Sequence, residues 1–220
     1  VDRNRIARLN PDGSLDTSFN PGKGFQGDVR SITIQKDGKM LLAGWFNSYN
    51  GGSTMYLIRL NGDGSVDNTF NTGRGPNSAV FGTVVLPGGK ILIAGRFTSY
   101  NGTKANCVAR LNHDGTLDRS FNVGEGPGGR DNAENYIQTI ALQKDGRIII
   151  AGYFTSFSGV ERNRIARLNA DGSLDTSFDP GKGADQNIMK VMALPDGRIL
   201  AFGWFHMYGG EDRKFFVQIN

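Results

Sequence analysis

The sequence predicts an all-β fold: a β-propeller of four repeats, each about 51 to 57 residues long and four-stranded. Three observations carry this. Four segments read alike: Leu41-Leu-Ala-Gly-Trp-Phe46, Leu92-Ile-Ala-Gly-Arg-Phe97, Ile149-Ile-Ala-Gly-Tyr-Phe154 and Leu200-Ala-Phe-Gly-Trp-Phe205. A second marker, Arg-Leu-Asn, stands at Arg8, Arg59, Arg110 and Arg167, with a weaker copy at Gln218-Ile-Asn220; its spacings are 51, 51, 57 and 51 residues. Periods of this size signal propellers, solenoids or arrays. The third observation is a lack: no ten-residue segment carries a capped helical stripe.

Each unit reads as strands and turns in order. In the first, Val29–Ile34 is a β-rich run closed by Lys36-Asp-Gly38. Lys39–Phe46 is a second run, apolar on both alternating faces, as expected of a strand packed by neighbours on either side. A Ser/Asn/Gly loop over 47–53 leads to a third run, Met55–Leu60. Asp63-Gly64 then turns the chain into a short fourth run, Val66–Phe70. Asp-Gly between alternating runs is a strong hairpin signal, expected here as a type I′ turn. Four short strands per unit fit a propeller blade, whereas the rungs of a β-solenoid are shorter. The Ala-Gly step within the second run, at 43–44, 94–95 and 151–152, predicts close approach of backbones where blades converge.

The six-residue excess of the long unit is one insertion between Phe121 and Ile137. The expected units are about 28–79, 80–136, 137–188 and 189–220, the last completed by residues 1–27 in a single domain. That completion would cover an open edge. It also makes Arg5–Asn10 and Phe215–Asn220 compete for one strand slot, which leaves open a longer propeller or terminal strand exchange in a homo-oligomer. Val1–Gly24 and Val160–Gly183 agree at 21 of 24 positions, as recent duplication produces. The opening Val-Asp-Arg-Asn-Arg is neither initiator Met nor signal peptide and reads as a mature or excised piece.

Composition narrows the function classes. Glycine is 32 of 220 residues without a collagen period, and apolar residues recur too regularly for disorder. The chain is long enough to bury about 70% of its unfolded surface, so no staple is needed. The one cysteine, Cys107, rules out an internal disulfide framework. No apolar run approaches the ~20 residues of a membrane helix, so no membrane insertion is expected. The formal charge of +4 is spread among 25 basic and 21 acidic residues. That is no basic stripe, and nucleic acid is not expected as a partner.

The phrases Arg-Leu-Asn-x-Asp-Gly-Ser-Leu-Asp-x-Ser-Phe, at 8–19, 59–70, 110–121 and 167–178, and x-Asp-Gly-Lys-x-x-x-Ala-Gly-x-Phe resemble the bacterial delta-60 repeat, a β-propeller repeat of unknown function. The resemblance covers the whole chain. It implies a secreted or cell-surface bacterial protein with no established catalytic activity, and it transfers no binding residues. The second unit departs from the pattern with Pro87-Gly-Gly89 in place of Asp-Gly.

The candidate ligand-binding residues are aromatic. Trp45, Tyr153 and Trp204 close the second run of their units, and Arg96 takes that slot in the second. Tyr49, Tyr100 and Tyr208, with Phe157, form a second tier whose similarity between units also suits packing. Exposed rings stack on sugar faces; buried ones fill cores. Phe46, Phe97, Phe154 and Phe205, fixed in every unit, are expected core. The paired acids Asp12/Asp16, Asp63/Asp67, Asp114/Asp118 and Asp171/Asp175 lack calcium-loop spacing. They are expected to build Asp-Gly turns and to pair with the recurring arginines. Glycine loops carrying Lys23, Arg74, Arg130 and Lys182 could cradle an anion. His113, His206 and Cys107 make no catalytic constellation, so neither metal, cofactor nor enzyme activity is expected. The expectation is a binding or display module, adhesive in character, that recognises carbohydrate or another surface polymer. The alternative is a structural or protein-interaction scaffold.

Overall fold

The computed structural model describes residues 3–129 and 135–220. Twelve strands of four or more residues form four antiparallel sheets. The first sheet is β1 (Phe25–Ile34), β2 (Met40–Tyr49) and β3 (Leu57–Leu60). The second is β4 (Val80–Val85), β5 (Ile91–Gly95) and β6 (Val108–Leu111). The third is β7 (Tyr136–Leu142), β8 (Ile148–Tyr153) and β9 (Ile165–Leu168). The fourth is β10 (Ile188–Ala193), β11 (Ile199–Gly203) and β12 (Phe216–Ile219). In every sheet the second strand lies in the middle. The described residues contain no helix, and the repeated sheets make this an all-β propeller fold.

Apolar side chains explain the stacking. Leu41, Ala43 and Leu57 of the first sheet share a buried cluster with Ile91, Ile93 and Phe97 of the second. The same arrangement recurs between the second and third sheets and between the third and fourth. The inner strands β1, β4, β7 and β10 pack in that sequence, and no comparable contact joins β1 to β10. The sheets therefore form an arc. Its ends leave Ile34 and Phe216 exposed, at 72% and 45%.

Two sequence expectations change in detail. The turn before β2 keeps only Gly38 at positive φ (81°), and Gly38 N–H donates to Gln35 O at 3.0 Å. This is a three-residue loop ending on a left-handed glycine, not type I′. The fourth run of each unit is also not a laddered strand. Leu60 and Val66 form a single bridge, as do Leu111 and Leu117 and Leu168 and Leu174. The cause is side-chain competition: Asp67 Oδ1 accepts from both Thr69 N–H and Thr69 Oγ1, curling the backbone away from the sheet.

The Ala-Gly step does mark a close approach, but within a blade and not between blades. A Cβ on Gly95 would lie 2.1 Å from the carbonyl oxygen of Ala79, the residue that leads into its own sheet's inner strand. All four inner strands bulge beside this glycine position, for example between Val80 and Gly82. At the N-terminal end, Leu9 bridges Leu15, Asn20 N–H donates to Asp63 O, and Ile6 and Phe19 pack on the first sheet. Among the described residues no hydrogen bond joins Asn4–Gly27 to the fourth sheet.

Candidate functional site

One edge of the arc carries both the loops that follow the middle strands and those that precede the inner strands. The chain turns through Asn50-Gly51 and Asn101-Gly102 with positive φ at all four residues. Asn50 N–H then donates to Gly24 O, and Asn101 N–H to Gly75 O, tying the two loop sets together. The asparagine side chains finish the job: Asn50 Oδ1 accepts from Lys23 N–H and Asn101 Oδ1 from Arg74 N–H. The N–H groups offered for anion binding are thus already taken at these two loops. Lys23, Arg74 and Lys182 are exposed, and Arg130 lies outside the described residues.

Along this edge runs a row of rings and guanidinium groups. Trp45 follows Gly44 on β2, so strand alternation turns its ring outward while Phe46 enters the core. Trp45 is 52% exposed and Tyr153 36%. The Arg96 guanidinium stands 5.8 Å from the Trp45 ring and 5.7 Å from Tyr136. Tyr136 stacks on Tyr153 at 5.9 Å and 15°, and Arg164 covers Tyr153 at 4.3 Å. Phe81 meets Tyr136 edge-on, and Asn187 Nδ2 donates to the Tyr136 hydroxyl. The result is a continuous row, Trp45–Arg96–Tyr136–Tyr153–Arg164, across three sheets. Trp204, 66% exposed, is tied to it by no ring or guanidinium contact among the described residues.

Sequence reasoning missed Tyr136 and Arg164. A signal for Tyr136 existed: counting back from the Asp145-Gly146 turn sets it opposite Tyr153, its register partner. Arg164 gave none, because its position holds Tyr56, Cys107 and Phe215 in other units. All four residues have positive φ, between 63° and 68°.

The second tier is corrected. Tyr49 and Tyr100 are interior, at 3% and 0% exposure, and their hydroxyls donate to Gly64 O and Gly115 O. Burial pushes the Tyr49 hydroxyl up to about 12. Phe157 fills the same interior position against Phe154. Tyr208 is half-buried, and its hydroxyl has no hydrogen-bond partner.

The remaining candidates have structural occupations. Asp12 Oδ1 accepts from Ser14 N–H and Oγ, holding its turn; Asp16 accepts from Arg8 Nε at 2.7 Å. Cys107 stands just before β6 and is buried, which pushes its thiol up to about 12. His113 and His206 sit exposed in turns. Among the described residues no three His, Cys, Asp or Glu side chains converge on one point. No helix there is long and apolar enough to cross a membrane. A groove of about 710 Å³ lies by the turns after β1 and β4 and is lined by Ile34, Val84 and Leu86 among others.

A family model for a domain of unknown function, the DUF5122 beta-propeller, matches residues 1–19, 35–70, 86–121, 143–178 and 194–220. No curated protein matches the chain. Among solved structures, the Mitotic Checkpoint Complex aligns at TM-score 0.54 and 14% identity, over 82% of this chain and 47% of that one. A catalytically inactive variant of virginiamycin B lyase from Staphylococcus aureus with quinupristin aligns at 0.52 and 18%, over 96% and 61%. The WD40 beta propeller domain of Doa1 aligns at 0.51 and 16%, over 79% and 47%. The chain thus spans about half to three-fifths of these structures. At such identities the likeness is one of fold.

Proposed function

The chain belongs to the DUF5122 beta-propeller family, a family of unknown function, and we propose that it is a non-catalytic binding module that grips an extended carbohydrate or similar surface polymer along the Trp45–Arg164 row. The extracellular or cell-surface setting implied by the delta-60 resemblance belongs to the same proposal. The observation that carries it is the row itself: two exposed rings and a third, half-buried one are held in fixed orientation by guanidinium groups from two strand ends. Aromatic faces stack on sugar rings, releasing water at roughly 25 cal/mol per Å² of apolar area. Guanidinium forks match carboxylate and sulfate groups, so acidic sugars fit best. Single contacts of this kind are weak, and a polymer spanning several sheets gains by engaging them together. Trp204 is a separate exposed ring outside this row.

The test is binding to arrayed acidic and neutral oligosaccharides. Trp45→Ala and Tyr153→Ala should each weaken retention while costing no more than ~1 kcal/mol of stability. Unchanged binding in both variants, or no bound glycan at all, overturns the reading. The protein-interaction alternative draws on Phe202, Phe216 and Met192, which leave the fourth sheet with an exposed apolar face.

A further inference from the structure

The bulge of each inner strand, beside the glycine of its middle strand, inserts one extra residue: Arg30 in β1, Phe81 in β4, Gln138 in β7 and Met189 in β10. A bulge re-aims the side chain it carries. All four of these side chains line a single pocket of about 140 Å³ where the inner strands converge. The backbone device is the same in every unit, yet it presents a cation, a ring, an amide and a thioether. Residues that only pack repeat from unit to unit, as buried Phe46, Phe97, Phe154 and Phe205 do.

The pocket suits negative charge. No Asp or Glu is among its lining residues, while Arg30 and Lys190 bring cations from the first and fourth sheets. Arg30 Nη2 lies 3.1 Å from Asp28 Oδ2, but Arg5 Nη1 holds the other oxygen at 2.9 Å, so two guanidinium groups share one carboxylate. Lys190 is exposed and pairs with no carboxylate among the described residues. Thr139 is 4% exposed, and its Oγ1 accepts from Val191 N–H at 3.4 Å, which frees its own O–H to donate. Gln138 adds a side-chain amide with no partner among the described residues. The Thr83 hydroxyl is shared with Ser31 and Thr33, at 3.0 and 2.6 Å, and fixes the wall between the first two sheets.

The pocket adjoins the aromatic row. Phe81 meets Tyr136 edge-on at 5.9 Å, and Asn187 Nδ2 reaches both the Tyr136 hydroxyl at 3.2 Å and Met189 Sδ at 3.5 Å. We propose that this pocket is the specificity subsite of the row and takes the carboxylate of a uronic-acid residue in the polymer. The proposal rests on the reading of the row as a sugar-binding surface. Arg30 and Lys190 balance the charge, and the Thr139 hydroxyl and Gln138 amide donate to the carboxylate oxygens. A carboxylate bonded directly to a sugar ring brings that ring onto Phe81 and Met189. A sulfate is bulkier and stands off the ring on its ester oxygen, so it fits this small pocket less well.

The test compares a short oligogalacturonate with its uncharged methyl ester on the full chain, at ~50 mM salt, where screening is weak. The acid should bind about tenfold more tightly than the ester, the scale of one charge-assisted hydrogen bond. Arg30→Gln and Lys190→Gln, both at exposed positions, should each remove most of that preference while the ester still binds. Trp45→Ala should weaken acid and ester alike. Free galacturonate, too small to span the row, probes the pocket by itself: it should shift the Gln138 side-chain amide signal in NMR spectra, and galactose should not. If neither oligomer binds but galacturonate shifts Gln138, the reading of the row fails and the carboxylate pocket is upheld. The proposal is overturned by equal affinity for acid and ester, by a preference that both glutamine variants retain, or by a Gln138 signal that galacturonate leaves in place.

Discussion

The Arg59 guanidinium donates through Nε to Asp67 Oδ2 at 2.6 Å, and the arginine side chain is completely buried. Lys39 Nζ adds a second bond to the same carboxylate at 2.9 Å, and the Phe70 ring stands 4.6 Å from the guanidinium. One Arg59 nitrogen also reaches His113 O in the next unit at 2.7 Å. A single side chain thus fixes the corner of its own blade and ties it to the following one. Breaking a buried pair by removing one partner costs about 3–5 kcal/mol, because the other charge is left uncompensated. Arg59→Ala should lose that much in urea unfolding. Arg8→Ala, at the more exposed equivalent, should lose about 1 kcal/mol or less.

The same clamps set an acid limit. Burial pushes the Asp67 carboxyl up, but the Thr69 hydroxyl, Lys39 and Arg59 more than offset this and hold it well below the usual carboxylate range. Asp118 is held down in the same way by Lys90, Ser120 and Arg110. A folded value below the unfolded one, about 3.9, means that the contribution is complete above that pH. It is lost as pH falls toward the folded value. Urea midpoints should be flat from pH 5 to 7 and fall steeply below pH 4. Asp67→Asn should flatten part of that fall.

Gly95 has no room for a side chain, since an added Cβ would lie 2.1 Å from Ala79 O and 2.8 Å from Val80 Cα. Gly95→Ala should therefore cost about 1–3 kcal/mol or more through backbone displacement. Gly146→Ala makes a useful contrast. Nothing lies within 4 Å of the added atom there, and the only penalty is its positive φ of 87°, about 1–2 kcal/mol. Thermal unfolding of the two variants should rank them in that order.

Tyr100→Phe removes the buried donor to Gly115 O and should cost about 1–3 kcal/mol, the penalty for an unsatisfied carbonyl. Phe157 shows that the ring itself fits without a hydroxyl. The variant should therefore fold, with a lower denaturation midpoint and unchanged circular dichroism.

The sequence by itself determined the repeat, the strand pairs and the turn residues. Each depends on interactions across a few residues: Asp145-Gly146 sets its hairpin, and the apolar run Ile148–Ala151 marks a middle strand wherever it is placed. It also pointed to an aspartate of each recurring pair as the partner of the arginine, while the structure selected the second of each, Asp16, Asp67, Asp118 and Asp175. Tertiary structure decided what depends on a neighbour some 51 residues away. Trp45 and Tyr49 are both aromatic and lie four residues apart on one strand; one meets solvent and Arg96, the other the first-sheet core and Gly64 O. The fourth run alternates like a strand, but whether it ladders depends on the Thr69–Asp67 side-chain bond outcompeting the sheet. The arc, too, is set by stacked faces. Burial is a property of the surface that covers a residue, and that surface comes from another unit.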